Sequence, residues 1–268
     1  MVELVECSSH LLLGERTGSP LTLLSVGSGT GVLDEMLLRG PLSTVTRYVA
    51  MEPNASHMEQ LRERFLKLQA ERKACGGQFE LETWLTAWGD DGAWPESMRG
   101  CADIVLFSHC LYHLPKPEEV LRRAGIDLLR GEGAVVLALL CSDAALSQLW
   151  RSFRHRWCPL PSSQMADHGL NCSSVAAALR EQLSAPGEGG DWKLRVEVSE
   201  KANSLDFRGA VDDPVEGSQV LSFLMSQDVT RLPEPLYTEM HNTFLGLCGP
   251  GGRFPHGNGL ITLSRTSG

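Results

Sequence analysis

Apolar residues in the first half of the chain fall into short unbroken runs rather than alternating with polar ones. LTLLSV (21–26), the core of TRYVAME (46–52), ADIVLFS (102–108) and AVVLALLC (134–141) are the clearest, and FELETWLTA (79–87) supplies a weaker strand and the loop after it. Runs of this length without polar alternation read as strands buried on both faces of a parallel sheet. Between them the period changes. VLDEMLLR (32–39) reads as a short helix closed by Gly40-Pro41. ASHMEQLRERFLKLQAERKA (55–74) places Met58, Leu61, Phe65 and Leu68 on one helical face before Gly76-Gly77. EEVLRRAGIDLL (118–129) does the same with Val120, Leu121, Ala124 and Leu128. Five strands with intervening helical segments predict an α/β protein with a doubly wound, Rossmann-like sheet.

The second half changes character. SDAALSQLWRSFRHRW (142–157) and CSSVAAALREQL (172–183) read as helices, the second with Ser173 or Ser174 as its N-cap. SAPGEGGD (184–191) is a loop, and WKLRVEVSEKANSLDF (192–207) contains an alternating strand. Residues 216–247 look helical and are broken by RLPEP; GLITLS (259–264) is a last short strand. This pattern divides the chain into a Rossmann-like core, 1–157, and cap helices with the last strands of the same sheet, 158–268, in one compact unit.

The 268 residues, 42% hydrophobic and 21% charged, suffice for such a unit. A net charge of −9 without a Lys/Arg block argues against a nucleic-acid footprint or a membrane-binding patch. No run approaches the ~20 apolar residues of a membrane span, and the acids in MVELVECSSHLLLGERTG do not suit a signal peptide. Eight scattered cysteines without a CxxC pair read as reduced thiols of a cytoplasmic protein, with neither a disulfide framework nor a metal site.

The chemistry concentrates after the first strand. In LLSVGSGTGVLD, Gly27, Gly29 and Gly31 end an apolar run and lead into a helix. Such a turn lets the backbone approach a ligand, and the helix behind it presents its N–H groups. Glu52, ending the second strand, is placed to accept hydrogen bonds from two ribose hydroxyls. Dinucleotides and S-adenosylmethionine both meet that requirement. The spacing favours the second: the dinucleotide fingerprint G-x-G-x-x-G sets its third glycine five residues after the first, a position held here by Val32.

With these residues in place, the chain resembles the class I S-adenosylmethionine-dependent methyltransferases, and among them the histamine N-methyltransferase family. The resemblance is carried by LLSVGSGTGVLDEMLL, MEPNASHMEQL, ADIVLFSHCLYHLPKPEEVL and SQLW (147–150), and more faintly by QVLSFLMSQDVTRLPEPLYTEM. It implies S-adenosyl-L-methionine as cofactor, with Gly27, Ser28 and Gly29 along its methionine end and Glu52 on the ribose. His57 stands where the family has a glutamine near the adenosine, Thr86 falls near the adenine, and Ser108 faces the cofactor from the end of strand four. On the acceptor side it implies Tyr112, Trp150 and Asn258, with His113 replacing a second tyrosine. It also implies a monomer acting on a small amine or imidazole.

The family pairs its substrate's ammonium with an acid on an N-terminal segment. About twenty residues precede LTLLSV here, and Glu3 and Glu6 do not match that acid. Asp206, Asp212 and Asp213 are the replacements composition offers. Three readings therefore stand at the level of sequence: an N-methyltransferase on a histamine-like acceptor, a non-catalytic relative serving as a binding or regulatory module, and a dinucleotide oxidoreductase.

Overall fold

The computed structural model describes residues 20–87, 94, 96–142, 145–157, 170–184, 192–209, 213–225, 228–249 and 251–267. Strands β1 (Leu21–Val26), β2 (Val45–Met51), β3 (Glu80–Trp84), β4 (Ile104–Ser108) and β5 (Val135–Cys141) pair in parallel. β6 (Trp192–Lys201) and β9 (Asn258–Ser267) complete a seven-stranded sheet of order β3-β2-β1-β4-β5-β9-β6, in which β9 runs antiparallel to both neighbours. The doubly wound α/β sheet expected from the sequence is present. Its order reverses between β1 and β4, which opens a crevice at their carboxyl ends.

The apolar runs are continuous because successive residues enter two different cores. In β4, Ile104 and Leu106 join Tyr48, Ala50 and Leu137 on one face, while Val105 and Phe107 join Val26, Met51 and Leu140 on the other. Helix α2 (Ala55–Ala74) covers the first face with Met58, Leu61, Phe65 and Leu68, all fully buried. α3 (Pro117–Arg123) and α5 (Cys172–Ser184) cover the second through Val120, Leu121, Val175 and Leu179. Asn54 starts α2 by accepting hydrogen bonds from the N–H groups of Ser56 and His57 at 2.9 and 3.1 Å.

A third apolar cluster joins α4 (Ala145–Trp157), α6 (Pro214–Leu224) and α7 (Glu234–Leu247) to Phe254 of the short strand β8 (Arg253–Pro255). β8 pairs with β7 (Ser204–Asp206) in a two-stranded ribbon. Neither short strand has enough apolar alternation to be read locally.

Two local expectations are corrected. The helix after β4 is regular only to Arg123 and then widens into a π turn, Ala124–Leu128. A Cβ at Gly125 would lie 3.0 Å from Leu194 of β6, so the strand packs directly on that turn. The N-cap of α5 is Asn171 rather than either serine: its Oδ1 accepts the Ser174 N–H at 2.8 Å, and the Ser174 hydroxyl donates back to the Asn171 carbonyl at 3.0 Å.

Candidate functional site

The glycine turn is tied down before any ligand is considered. The N–H groups of Gly27 and Ser28 both donate to the Met51 carbonyl, at 2.8 and 3.1 Å, which joins the end of β1 to the end of β2. The Gly29 N–H donates to Glu52 Oε2 at 2.8 Å, and the Asn54 N–H donates to Oε1 at 2.9 Å. Glu52 is 6% exposed, so each oxygen keeps its remaining lone pair in a nearly dry setting. His57 Nδ1 lies 3.7 Å from Oε1, at the mouth of the site.

Gly27 and Gly29 have different reasons for lacking a side chain. Both have positive φ, 63° and 56°. A Cβ at Gly27 would strike Cys110 Cβ at 2.6 Å, whereas one at Gly29 would meet nothing within 4 Å. The open space at Gly29 is therefore room on the ligand side, and Gly27 is small so that the segment after β4 can close against β1. Helix α1 (Val32–Arg39) follows with no side chain capping its first turn, which leaves N–H groups for a ligand's polar atoms.

The other wall is the segment after β4. His109 takes φ = 52°, a conformation few non-glycine residues adopt. Its N–H donates to the Leu139 carbonyl at 3.0 Å. Burial lowers its imidazole to about 4, with nearby His256 adding to the effect, so the ring is neutral at physiological pH. The Cys110 thiol donates to the Val26 carbonyl at 3.0 Å and is pushed up to about 12 by burial, which makes it an inert packing group. Tyr112 lies in the 3-10 turn Leu111–His113, 6% exposed, with its hydroxyl accepting the Cys141 N–H at 2.6 Å.

Between these walls lies a cavity of about 610 Å3, within the usual size of a small-molecule site. Gly27, Gly29, Glu52, His57, Thr86 and Ser108 all line it, and so does His113. The Ser28 backbone and hydroxyl are turned to the Met51 carbonyl instead. Tyr112 packs behind the wall. Trp150 is 5% exposed in the third cluster, its Nε1–H donating to the Leu224 carbonyl at 3.0 Å. Asn258 opens β9 opposite Cys141, 6% exposed, and its Oδ1 meets no hydrogen-bond partner. Of the acids suggested as ammonium partners, Asp206 pairs with Arg208 at the surface and Asp213 caps α6 through the Val215 N–H. Asp212, Glu3 and Glu6 lie outside the described residues.

His109, Pro53, Leu114 and Pro115 also line the cavity and were not singled out from sequence. For His109 the available signal is its place directly after a buried strand. The six cysteines described are free thiols, and no cluster of metal-binding side chains occurs among the described residues.

A doubly wound sheet with a glycine turn over an acid at the second strand defines a nucleotide-type binding site in an α/β protein. A family model for a methyltransferase domain matches residues 5–185, and the chain belongs to that family. The fold is similar to that of the BH2331 protein of Bacillus halodurans, provisionally assigned as a methyltransferase. That match has 15% identity and TM-score 0.54, covering 98% of this chain and 100% of that one. It is also similar to YcgJ of Bacillus subtilis, with 11% identity and TM-score 0.55, covering 100% and 98%. The plantazolicin methyltransferase BpumL, solved in complex with SAH, matches at 12% identity and TM-score 0.47 over 96% of this chain and 81% of that one. No curated protein matches the chain significantly in sequence. The chain thus belongs to the methyltransferases and has the Rossmann-like fold of class I, and the group to test its site against is S-adenosylmethionine, which the sequence resemblance implies as cofactor. The site fits that group: open backbone at Gly29, a buried carboxylate at Glu52 and a cavity of sufficient volume. No described helix is long and apolar enough to cross a membrane.

Proposed function

We propose that the chain transfers a methyl group from S-adenosylmethionine to a nitrogen of a small amine or imidazole, histamine-like in size and polarity. The observation that carries this reading is that one cavity is lined both by the open backbone of Gly29 and the carboxylate of Glu52 and by Ser108, His109 and His113. Gly27, Ser28 and Gly29 are assigned to the methionine end, Glu52 to the ribose, His57 and Thr86 to the adenosine, and Ser108 to the neighbourhood of the sulfur. Tyr112, His113, Trp150 and Asn258 are assigned to the acceptor side, Trp150 by holding the cap helices together. The resemblance of FSHCLYHL and SQLW to the histamine N-methyltransferases supports the choice of a nitrogen acceptor.

When bound, the cofactor supplies an electrophilic methyl group on a sulfonium. The chain's residues need do little acid–base work. Glu52 fixes the ribose, and the glycine turn fixes the chain that leads to the sulfur. The walls after β4 hold the acceptor nitrogen in line, and orientation of this kind contributes up to roughly 7–11 kcal/mol. His109, kept neutral by burial, neither repels the positive charge developing on the acceptor nor removes its proton. Asn258 Oδ1 is available to accept a hydrogen bond from an acceptor N–H.

The test is calorimetric binding of S-adenosylhomocysteine, followed by transfer of labelled methyl to a panel of histamine and other small amines and imidazoles. Tight cofactor binding with transfer to at least one member is expected. Preference for NADH, or cofactor binding without transfer to any member, would overturn the reading.

A further inference from the structure

The antiparallel direction of β9 has a topological consequence for the acceptor end of the cavity. A strand inserted antiparallel beside β5 begins where the parallel strands end, so the residues entering β9 lie on the ligand side of the sheet. These residues are His256, Gly257 and Asn258. Their position is fixed independently at three points: the His256 N–H donates to the Asn203 carbonyl at 2.9 Å, the Gly257 carbonyl accepts the Ser142 N–H at 3.0 Å, and Asn258 stands in register with Cys141. Cys141 in turn donates its N–H to the Tyr112 hydroxyl, and the Tyr112 ring stacks on His109 with centroids 6.3 Å apart and planes 17° from parallel. His109 lines the cavity. An unbroken series of contacts therefore joins the entry to β9 with the cavity wall.

Within this segment His256 carries an unused polar atom. Its Nδ1 is buried and makes no hydrogen bond, as does Asn258 Oδ1 two residues on. Buried polar atoms are almost always paired, and two unpaired ones two residues apart at the ligand edge of a sheet point to a place where a ligand supplies the partners. The proximity of His256 to the His109 ring is also what helps keep that ring neutral.

We propose that His256 is a specificity-determining residue, which hydrogen-bonds the methyl acceptor through Nδ1 and thereby selects a small polar nitrogen compound over an apolar one of the same size. This rests on the N-methyltransferase reading of the preceding subsection. His256 is not among the residues that line the cavity around Gly29 and Glu52; it approaches the site from behind His109.

The experiment uses the full chain with His256→Phe and His256→Gln. Both variants are expected to bind S-adenosylhomocysteine within about twofold of wild type. His256→Phe should raise the acceptor KM about tenfold, the loss expected for one hydrogen bond to a neutral partner, with kcat changed much less. His256→Gln, which keeps a polar atom, should recover part of that loss, a recovery a purely structural role would not produce. A folded His256→Phe protein with wild-type KM for every accepted amine would overturn the proposal while leaving the N-methyltransferase reading intact. A second arm does not need turnover. Histamine is titrated into the S-adenosylhomocysteine complex while the imidazole resonances, assigned with His256→Gln, are followed by NMR. A shift of the His256 signals is expected, and unshifted signals at saturating histamine would overturn the proposal. Absence of transfer to any amine would instead count against the reading on which it rests.

Discussion

The Gly29 N–H donates to Glu52 Oε2 at 2.8 Å, so the turn after β1 and the acid after β2 form one hydrogen-bonded unit across 23 residues of sequence. With the Asn54 N–H on its other oxygen, Glu52 both shapes the turn and keeps lone pairs toward the cavity. Glu52→Ala therefore removes the turn's anchor and, on the proposed assignment, the ribose contact together. Hydrogen bonds to a charged group contribute about 1.5–3 kcal/mol each, which predicts a loss of S-adenosylhomocysteine affinity of at least tenfold. Gly29→Arg, which fills the open space, is expected to abolish binding. Calorimetry checks both, and near-wild-type affinity in both would refute the site.

Gly31 gives a contrasting outcome. Its φ is 71°, and a Cβ there would approach Phe65 Cε2 to 2.7 Å in the α1–α2 contact. Gly31→Ala is expected to cost about 2–4 kcal/mol of stability from strain and overpacking. Gly29→Ala meets no protein atom and should cost only the ~1–2 kcal/mol of its left-handed backbone. Denaturant melts of the two variants distinguish a packing glycine from a ligand-side one.

His109 makes stability depend on pH in a definite direction. Its folded value near 4 lies below the ordinary histidine value of 6.5, so the unfolded chain takes up a proton that the folded one refuses. Stability is complete above 6.5 and falls as pH drops toward 4, by at most about 3 kcal/mol. His256, also lowered by burial, acts in the same sense. His109→Gln should flatten the profile in this window, as urea melts between pH 4 and 7 will show.

Asp34 is the opposite case. It is 1% exposed, its carboxylate accepts the Tyr48 hydroxyl at 2.5 Å, and burial raises its pKa. The stabilisation linked to its protonated form is complete below 3.8 and is lost as pH rises through the folded value. Tyr48→Phe leaves the buried carboxylate without that donor and is expected to cost about 2–3 kcal/mol at pH 7.5. Asp34→Asn, which removes the charge and keeps an acceptor, should cost clearly less. An equal or larger loss in Asp34→Asn would contradict this account.

Trp150 ties α4 to α6 through its bond to the Leu224 carbonyl. Trp150→Phe should lose about 1 kcal/mol for that bond and raise the acceptor KM by loosening the cap. Cofactor affinity should be unchanged. A drop in S-adenosylhomocysteine affinity would place Trp150 in the cofactor site instead.

Much of the core was legible because burial on both faces leaves so little room for polar residues in β1, β4 and β5. The 3.6-residue spacing of Met58, Leu61, Phe65 and Leu68 likewise revealed α2 from end to end. β7 and β8 were missed because three-residue strands carry no period. The π turn at 124–128 was missed because its apolar spacing reads like that of the helix before it; it packs against Leu194, distant in sequence. Asn171 was overlooked as a cap because two adjacent serines offered the same chemistry.

Local chemistry in the sequence was enough to mark the buried strands, the helices between them, the glycine turn and the acid that ends the second strand, because each is written in residues close together along the chain. Which glycine makes room for a ligand and which makes room for Cys110 or Phe65 was decided only by tertiary packing. So were the left-handed backbone of His109 and the neutrality of its ring, the latter a result of burial. The placement of His256 beside the same site has a like origin. Residues 109 and 256 come near enough to influence each other electrostatically because β9 enters the sheet antiparallel beside β5, a pairing set by the strand order rather than by any feature near either histidine.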